Sequence, residues 1–152
     1  MTTRARTSAE QSLLHDLADE LLRFSKRRHG SVEGTELESS AFKLLWVLSD
    51  DNPRTLRELS DALDLDLSTI NRQVNTAVRA GLLERFSVTD SLSKPVRATA
   101  EGRRLYEQDT QVHRDVLRSV LAEMGAAGAR DLIRSLGAFN DAYEKHAPNR
   151  HR

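Results

Sequence analysis

The chain has 152 residues, of which 30% are charged, 38% hydrophobic and 5% aromatic, and its formal net charge is zero. It contains no cysteine, which excludes disulfides, thiolate metal sites and thiol-based redox sensing. No apolar run approaches the roughly 20 residues that cross a bilayer, and residues 1–10 have no apolar signal-peptide core. We therefore expect one compact cytoplasmic domain.

Helix boundaries are predicted from capping sequences. At Thr7, Thr35 and Thr55 a glutamate follows the threonine three positions later, the capping-box pattern that starts a helix. Thr99 is a plainer N-cap candidate. Helix stops are predicted at Gly30, Asn52-Pro53, Gly81 and Gly125.

Two apolar stripes with helical spacing lie near the ends of the chain. The first comprises Leu14, Leu17, Leu21 and Phe24, and the second comprises Leu132, Leu136, Phe139 and Tyr143. We interpret both stripes as a dimer interface; the alternative is that each packs within its own chain. Between them, a short apolar helix around Trp46 is predicted to be buried.

The central residues 55–99 predict a helix-turn-helix followed by a hairpin. A short helix is expected over residues 56–63, a tight turn over 64–66, and a second helix over about 67–80. Leu67, Ile70, Val74, Ala77 and Val78 form the inner face of that second helix. Helical spacing then stops from residue 82 to 99, where two short strands flank a turn at 89–91.

The outward face of the second helix is polar, and all of its residues except Thr76 are expected to contact DNA. This face comprises Ser68, Thr69, Asn71, Arg72, Gln73, Asn75, Thr76 and Arg79. Arginine pairs with guanine and asparagine or glutamine with adenine in the major groove, and hydroxyls near a helix start hold phosphates. Simple solvation is the better explanation for any single residue; the whole set favours DNA reading.

The positive charge is concentrated in this part of the chain. Residues 68–104 contain seven basic and three acidic residues, an excess of four, although the whole chain is neutral. A DNA footprint depends on where charges lie rather than on their total. Arg57, Arg85, Lys94 and Arg97, together with Arg79, are the expected phosphate contacts.

These residues resemble the MarR family of bacterial regulators. The resemblance lies in Leu59-Ser60 with Ala62, in residues 68–72 and 78–85, in Asp90, and in Thr99-Ala100-Glu101-Gly102. It implies that Arg72 occupies the family's recognition-helix arginine, with Asn71 before it, and that the first and last helices form the dimer interface. The wing departs from the family pattern, because Leu92 stands where an arginine is usual. Lys94 or Arg97 would have to supply that charge.

The resulting expectation is a mainly α-helical protein with a small β-hairpin wing. Residues 1–152 form one MarR-like domain, with a DNA-binding lobe at 36–100 and dimerisation helices at 8–30 and 103–147. We expect a nucleoid-associated repressor that binds a palindromic operator as a homodimer, with double-stranded DNA as partner and no cofactor. The alternatives are a winged-helix protein-interaction module and a small-molecule sensor without DNA binding.

Other chemistry receives little support from the sequence. The histidines His15, His29, His113, His146 and His151 form no close ligand motif, so surface positions are expected and no metal site. Neither a Gly-x-Ser-x-Gly turn nor a phosphate-binding loop is present, which argues against an enzyme. A pocket for a small aromatic effector, as the family often has, would involve Leu13, Leu17, Phe42 and Trp46; Trp46 by default is a core residue.

Overall fold

The computed structural model describes residues 2–29, 32–86 and 94–147. Helix α1 spans Thr2–His29 and belongs to a unit of its own, which ends at residue 33. The second unit starts at residue 34. Among the described residues, no helix combines the length and the hydropathy needed to cross a bilayer.

The second unit contains the predicted helix-turn-helix and wing. Its elements are α2 (Ser39–Val47), α3 (Leu56–Leu63), α4 (Leu67–Arg79), β1 (Leu83–Arg85), β2 (Val96–Ala98) and α5 (Ala100–His146). The strands are antiparallel, with Leu83 opposite Ala98 and Arg85 opposite Val96. The predicted fold class, mainly helical with a hairpin, is confirmed. The two last predicted helices are joined in α5, which Gly125 interrupts with non-helical backbone angles.

Two of the predicted helix starts are confirmed in atomic detail. At α3, Thr55 Oγ1 accepts a hydrogen bond from the Glu58 amide, and the Glu58 carboxylate accepts from the Thr55 amide at 2.7 Å. At α5, Thr99 Oγ1 accepts from the Gly102 amide at 3.0 Å. At both positions the side chains that the sequence signal predicts form the capping hydrogen bonds.

The other two predicted starts are wrong. Helix α1 begins at Thr2 rather than at Thr7, because residues 2–6 contain no glycine or proline that would stop a helix. Helix α2 begins at Ser39, behind Glu38, and Thr35 does not cap it. The predicted stop at Gly30 lies outside the described residues, and α2 ends at Val47, well before Asn52-Pro53.

A buried carboxylate holds the segment before α2 in place of the predicted threonine cap. Asp109, on α5, is only 1% exposed. Its two oxygens accept hydrogen bonds from the Glu36 amide at 3.0 Å and from the Leu37 amide at 2.8 Å. A contact between residues so distant in the sequence has no local signal, which is why the capping pattern at Thr35 was misleading.

The core of the second unit lies between α2, α3, α4 and the hairpin. Its fully buried side chains are Leu44, Leu45, Leu48, Leu59, Ile70, Val74, Leu83 and Val96. Trp46 was expected in this core but is 58% exposed, because it lies about 200° around the α2 axis from the buried Leu44 and Leu48. Leu67 was assigned to the inner face of α4 but is 52% exposed, since it is the first residue of that helix and lies at the edge of the core.

The wing sheet has an additional pairing that the sequence does not indicate. Arg54 exchanges two backbone hydrogen bonds with Val96, of 3.0 and 2.8 Å, and so lies beside β2. The Arg54 guanidinium forms two 2.7 Å hydrogen bonds with the Asp50 carboxylate, and this pairing lowers the pKa of Asp50 below its ordinary value. The residue that precedes Thr55 and α3 is thereby attached to the wing.

Candidate nucleic-acid interface

The exposed face of α4 carries most of the predicted base-reading residues. Ser68, Asn71, Arg72, Asn75, Thr76 and Arg79 are exposed, whereas Thr69 and Gln73 are half-buried. The turn before α4 is fixed by Asp64, which adopts a left-handed conformation, and by Ser60, whose hydroxyl donates to the Leu65 carbonyl. The order α3, turn, α4 therefore presents one polar helix face to solvent.

The N-terminus of α4 is capped by a carboxylate from its own chain. Asp66 accepts hydrogen bonds from the Thr69 amide at 2.8 Å, from the Thr69 hydroxyl at 2.6 Å and from the Ser68 hydroxyl. The hydroxyl protons that we expected to reach a phosphate are thus directed at Asp66. These bonds, the one from Ser68 first, lower the pKa of Asp66.

We expect Asp66→Ala to lower the free energy of unfolding at pH 7, and this loss to shrink as the pH falls. Because the pKa of Asp66 is lowered in the folded state, its stabilisation is complete above the unfolded pKa of about 4 and is lost at lower pH. Urea denaturation of the wild type and the variant between pH 7 and pH 3 measures this difference. A difference that stays constant over this range would contradict the prediction; Asp66→Asn, which keeps an uncharged cap, is the control.

Three side chains from α4 and β1 form one hydrogen-bond network. The Arg85 guanidinium, on β1, donates to Asn75 Oδ1 at 2.8 Å and to Asn71 Oδ1 at 3.3 Å. The Asn75 amide nitrogen in turn donates to Asn71 Oδ1 at 3.5 Å. Arg85 was predicted as a phosphate contact, but its side chain is directed at α4.

The remaining predicted cationic side chains differ in the hydrogen bonds and ion pairs that they form. The Arg97 guanidinium binds the Glu84 carboxylate at 2.7 Å and lies 5.0 Å from the centre of the Phe86 ring. Arg79 donates to the Thr76 hydroxyl at 3.3 Å. The side chain of Arg72 is exposed and has no hydrogen bond or ion pair with any described residue. It is therefore available to a ligand.

The other predicted site residues differ in how exposed their side chains are, and two of them lie outside the described residues. Arg57, on α3, and Lys94, before β2, are exposed. Gln73 is half-buried, and its Oε1 is buried without a hydrogen-bond partner among the described residues. Asp90 and Leu92, at the predicted wing tip, lie outside the described residues.

The residues of the predicted effector pocket belong to both units. Leu13 and Leu17, on α1, are exposed, as is Trp46 on α2. Phe42, on α2, packs against Tyr106 and His113 of α5, with ring centres 5.2 and 5.0 Å away. His113 was expected at the surface but is half-buried, and its Nδ1 is buried without a hydrogen-bond partner in the described part of the chain.

Comparison with known proteins gives matches over this site and over most of the chain. The family described as winged helix-turn-helix DNA-binding matches residues 37–84. An uncharacterized HTH-type transcriptional regulator of Bacillus subtilis is 30% identical over 100 residues, which are 65% of this chain and 66% of that protein.

Two of the solved structures that share the fold are MarR proteins. MarR of Staphylococcus aureus, in complex with salicylate and kanamycin, superposes with a TM-score of 0.74 at 15% identity and covers 92% of this chain and 95% of its own. A mutant of E. coli MarR complexed with operator DNA superposes with a TM-score of 0.68 at 22% identity and covers 86% and 95%. At these identities the likeness establishes the fold.

Proposed function

Because the chain carries the winged helix-turn-helix domain and the fold of the MarR family of regulators, we propose that it represses transcription as a homodimer bound to a palindromic operator. In this proposal residues 36–100 bind DNA, and residues 8–30 and 103–147 form the dimer. The protein acts in the cytoplasm, on the nucleoid, and without catalysis.

The observation that carries the proposal is the polar face of α4, at the centre of which Arg72 is exposed and has no partner in the described part of the chain. A guanidinium that is exposed and has no partner among the described residues can donate two hydrogen bonds to the O6 and N7 atoms of guanine. Lys94 and Arg57, both exposed, supply positive charge on either side in sequence.

Support for a dimer comes from the two apolar stripes. Leu14, Leu17, Leu21 and Phe24 are exposed on α1, and Leu132, Leu136 and Tyr143 are exposed on α5. Exposed apolar side chains in such a repeated pattern mark protein interfaces. A two-fold dimer would present its two recognition helices about one DNA turn, roughly 34 Å, apart, which is the spacing of palindromic half-sites.

Support for an effector comes from one of the solved structures. The S. aureus protein that shares this fold is complexed with salicylate, a small aromatic acid. We extend this to the present chain as release from DNA by a small aromatic effector.

The test of DNA reading is the substitution Arg72→Ala. We expect it to reduce specific binding by about 1–3 kcal/mol, roughly 5- to 150-fold, because the guanine contacts are lost. Fluorescence anisotropy measures this with a labelled duplex from upstream of the protein's own gene, beside a scrambled duplex, at two salt concentrations.

Two further variants separate base reading from charge. Lys94→Ala is expected to weaken binding to both duplexes equally and to reduce the salt dependence. Arg118→Ala removes an exposed arginine of α5 that lies outside residues 36–100 and pairs only with Asp115 among the described residues, and it should leave the preference between the two duplexes unchanged. Equal losses on both duplexes for Arg72→Ala would refute its assignment to base reading.

A further inference from the structure

We propose that Arg85 is a positioning residue that fixes the amides of Asn71 and Asn75 as hydrogen-bond donors toward DNA, so that they favour guanine or thymine over adenine. The inference rests on the proposed DNA binding of α4. It departs from the sequence-based expectation, in which an asparagine of the recognition helix pairs with adenine.

The orientation of both amides follows from the chemistry of arginine. A guanidinium carries only donors, so an amide that hydrogen-bonds to it must turn its oxygen toward it. Arg85 lies 2.8 Å from Asn75 Oδ1 and 3.3 Å from Asn71 Oδ1. The opposite rotamer of either amide would place N–H groups against a positive charge.

Counting the amide hydrogens and oxygen lone pairs of Asn71 and Asn75 shows which of them remain free to bond to DNA. Asn71 Oδ1 accepts from both Arg85 and Asn75, which uses its two lone pairs. The Asn71 amide nitrogen keeps both hydrogens, and the Asn75 nitrogen keeps one. The outward groups of the network are therefore mainly donors; the second lone pair of Asn75 Oδ1 is the exception.

The pattern of donors selects bases by their major-groove edges. The paired contact with adenine needs an asparagine that accepts from N6 and donates to N7. A donor-only amide can still donate to N7, but it leaves the N6 donor facing a second donor, and cytosine offers a donor at N4. Guanine presents two acceptors, N7 and O6, and thymine presents O4. Because the oxygen of Asn71 is occupied, its free nitrogen matches guanine or thymine and not the paired contact of adenine.

The experiment is selection of duplexes from a randomised DNA library, followed by sequencing, with the full-length chain. The base pair read by Asn71 is identified as the one whose preference disappears in Asn71→Ala. We expect guanine or thymine at that position for the wild type. In Arg85→Ala the freed amide can turn, and the ratio of adenine to guanine plus thymine should rise about tenfold.

Two variants distinguish positioning from charge. Arg85→Lys keeps a pure donor and should retain the wild-type preference at reduced affinity. Arg97→Ala removes a wing cation that pairs with Glu84 instead of with the amides, and it should lower affinity without changing the preferred base.

Each contrary result has a distinct meaning. Adenine at the Asn71 position in the wild type, or an unchanged preference in Arg85→Ala with lower affinity, would overturn the inference and leave Arg85 as a phosphate contact. Failure to enrich any sequence would overturn the proposed function itself, and this inference with it.

Discussion

Replacing Gly102 with alanine is expected to lower the free energy of unfolding by about 3 kcal/mol or more, because the new methyl group has no space. A Cβ at this position would lie 2.1 Å from the Leu82 carbonyl oxygen and 3.1 Å from Leu45 Cδ2. The carbonyl is not free to move, since it accepts hydrogen bonds from the amide and the hydroxyl of Thr99. The contact joins the first turn of α5 to the start of the wing.

Thermal or urea denaturation at a fixed protein concentration measures this loss, and the DNA anisotropy assay shows whether the wing is affected. Gly128→Ala is the matched control on the same helix. Its Cβ would meet only Met124 Cβ at 3.7 Å, so alanine should stabilise the helix by up to about 1 kcal/mol. Equal stability of the two variants would show that the backbone at Leu82 moves to make room for the methyl group.

Replacing Asp109 with alanine is expected to lower the free energy of unfolding by about 2–4 kcal/mol. The substitution removes two charge-assisted hydrogen bonds and leaves the amides of Glu36 and Leu37 without an acceptor. The Leu37 amide is buried, so water does not readily replace the carboxylate. The segment that leads into α2 would lose its two hydrogen bonds to the Asp109 carboxylate of α5 and keep the exposed one from Gln108 to the Glu36 carboxylate.

The series Asp109→Ala, Asp109→Asn and Asp115→Ala tests this account by urea denaturation. In Asp109→Asn the side-chain amide would accept from one backbone N–H but turn its own donors to the other, so we expect an intermediate loss. Asp115 is exposed on the same helix and pairs with Arg118, and its removal should cost under about 0.5 kcal/mol. A loss of that size for Asp109→Ala would mean that the carboxylate does not hold the segment.

Much of the winged helix-turn-helix could be predicted from the sequence because several of its signals are local. The bounds of α3 were predicted from the capping box at Thr55 and the tight turn at residues 64–66, and both are confirmed. The winged helix-turn-helix fold and the resemblance to the MarR family are confirmed as well. Hydrophobic spacing correctly placed Ile70 and Val74 in the core.

The features that sequence reasoning missed depend on contacts between distant residues. The Asp109 carboxylate takes the place of a predicted threonine cap, and the pairing of Arg54 with Val96 involves a single residue without a strand pattern. The orientation of Asn71 depends on Arg85, which comes from the next element. Residue type identified Asn71 and Arg85 as candidates, but their chemistry depends on partners that no spacing rule supplies.

The backbone angles at Gly125, where α5 is interrupted, restrict the chirality of the residue at this position but not the size of its side chain. Its φ of 71° and ψ of 162° lie in a region that L-amino acids avoid, yet no described atom lies within 4 Å of a Cβ built there. The mirror image of these angles is ordinary extended backbone, so a D-alanine at this position would fit where L-alanine is strained. Glycine, the one achiral residue in the genetic code, is therefore the encoded residue that fits position 125 without strain.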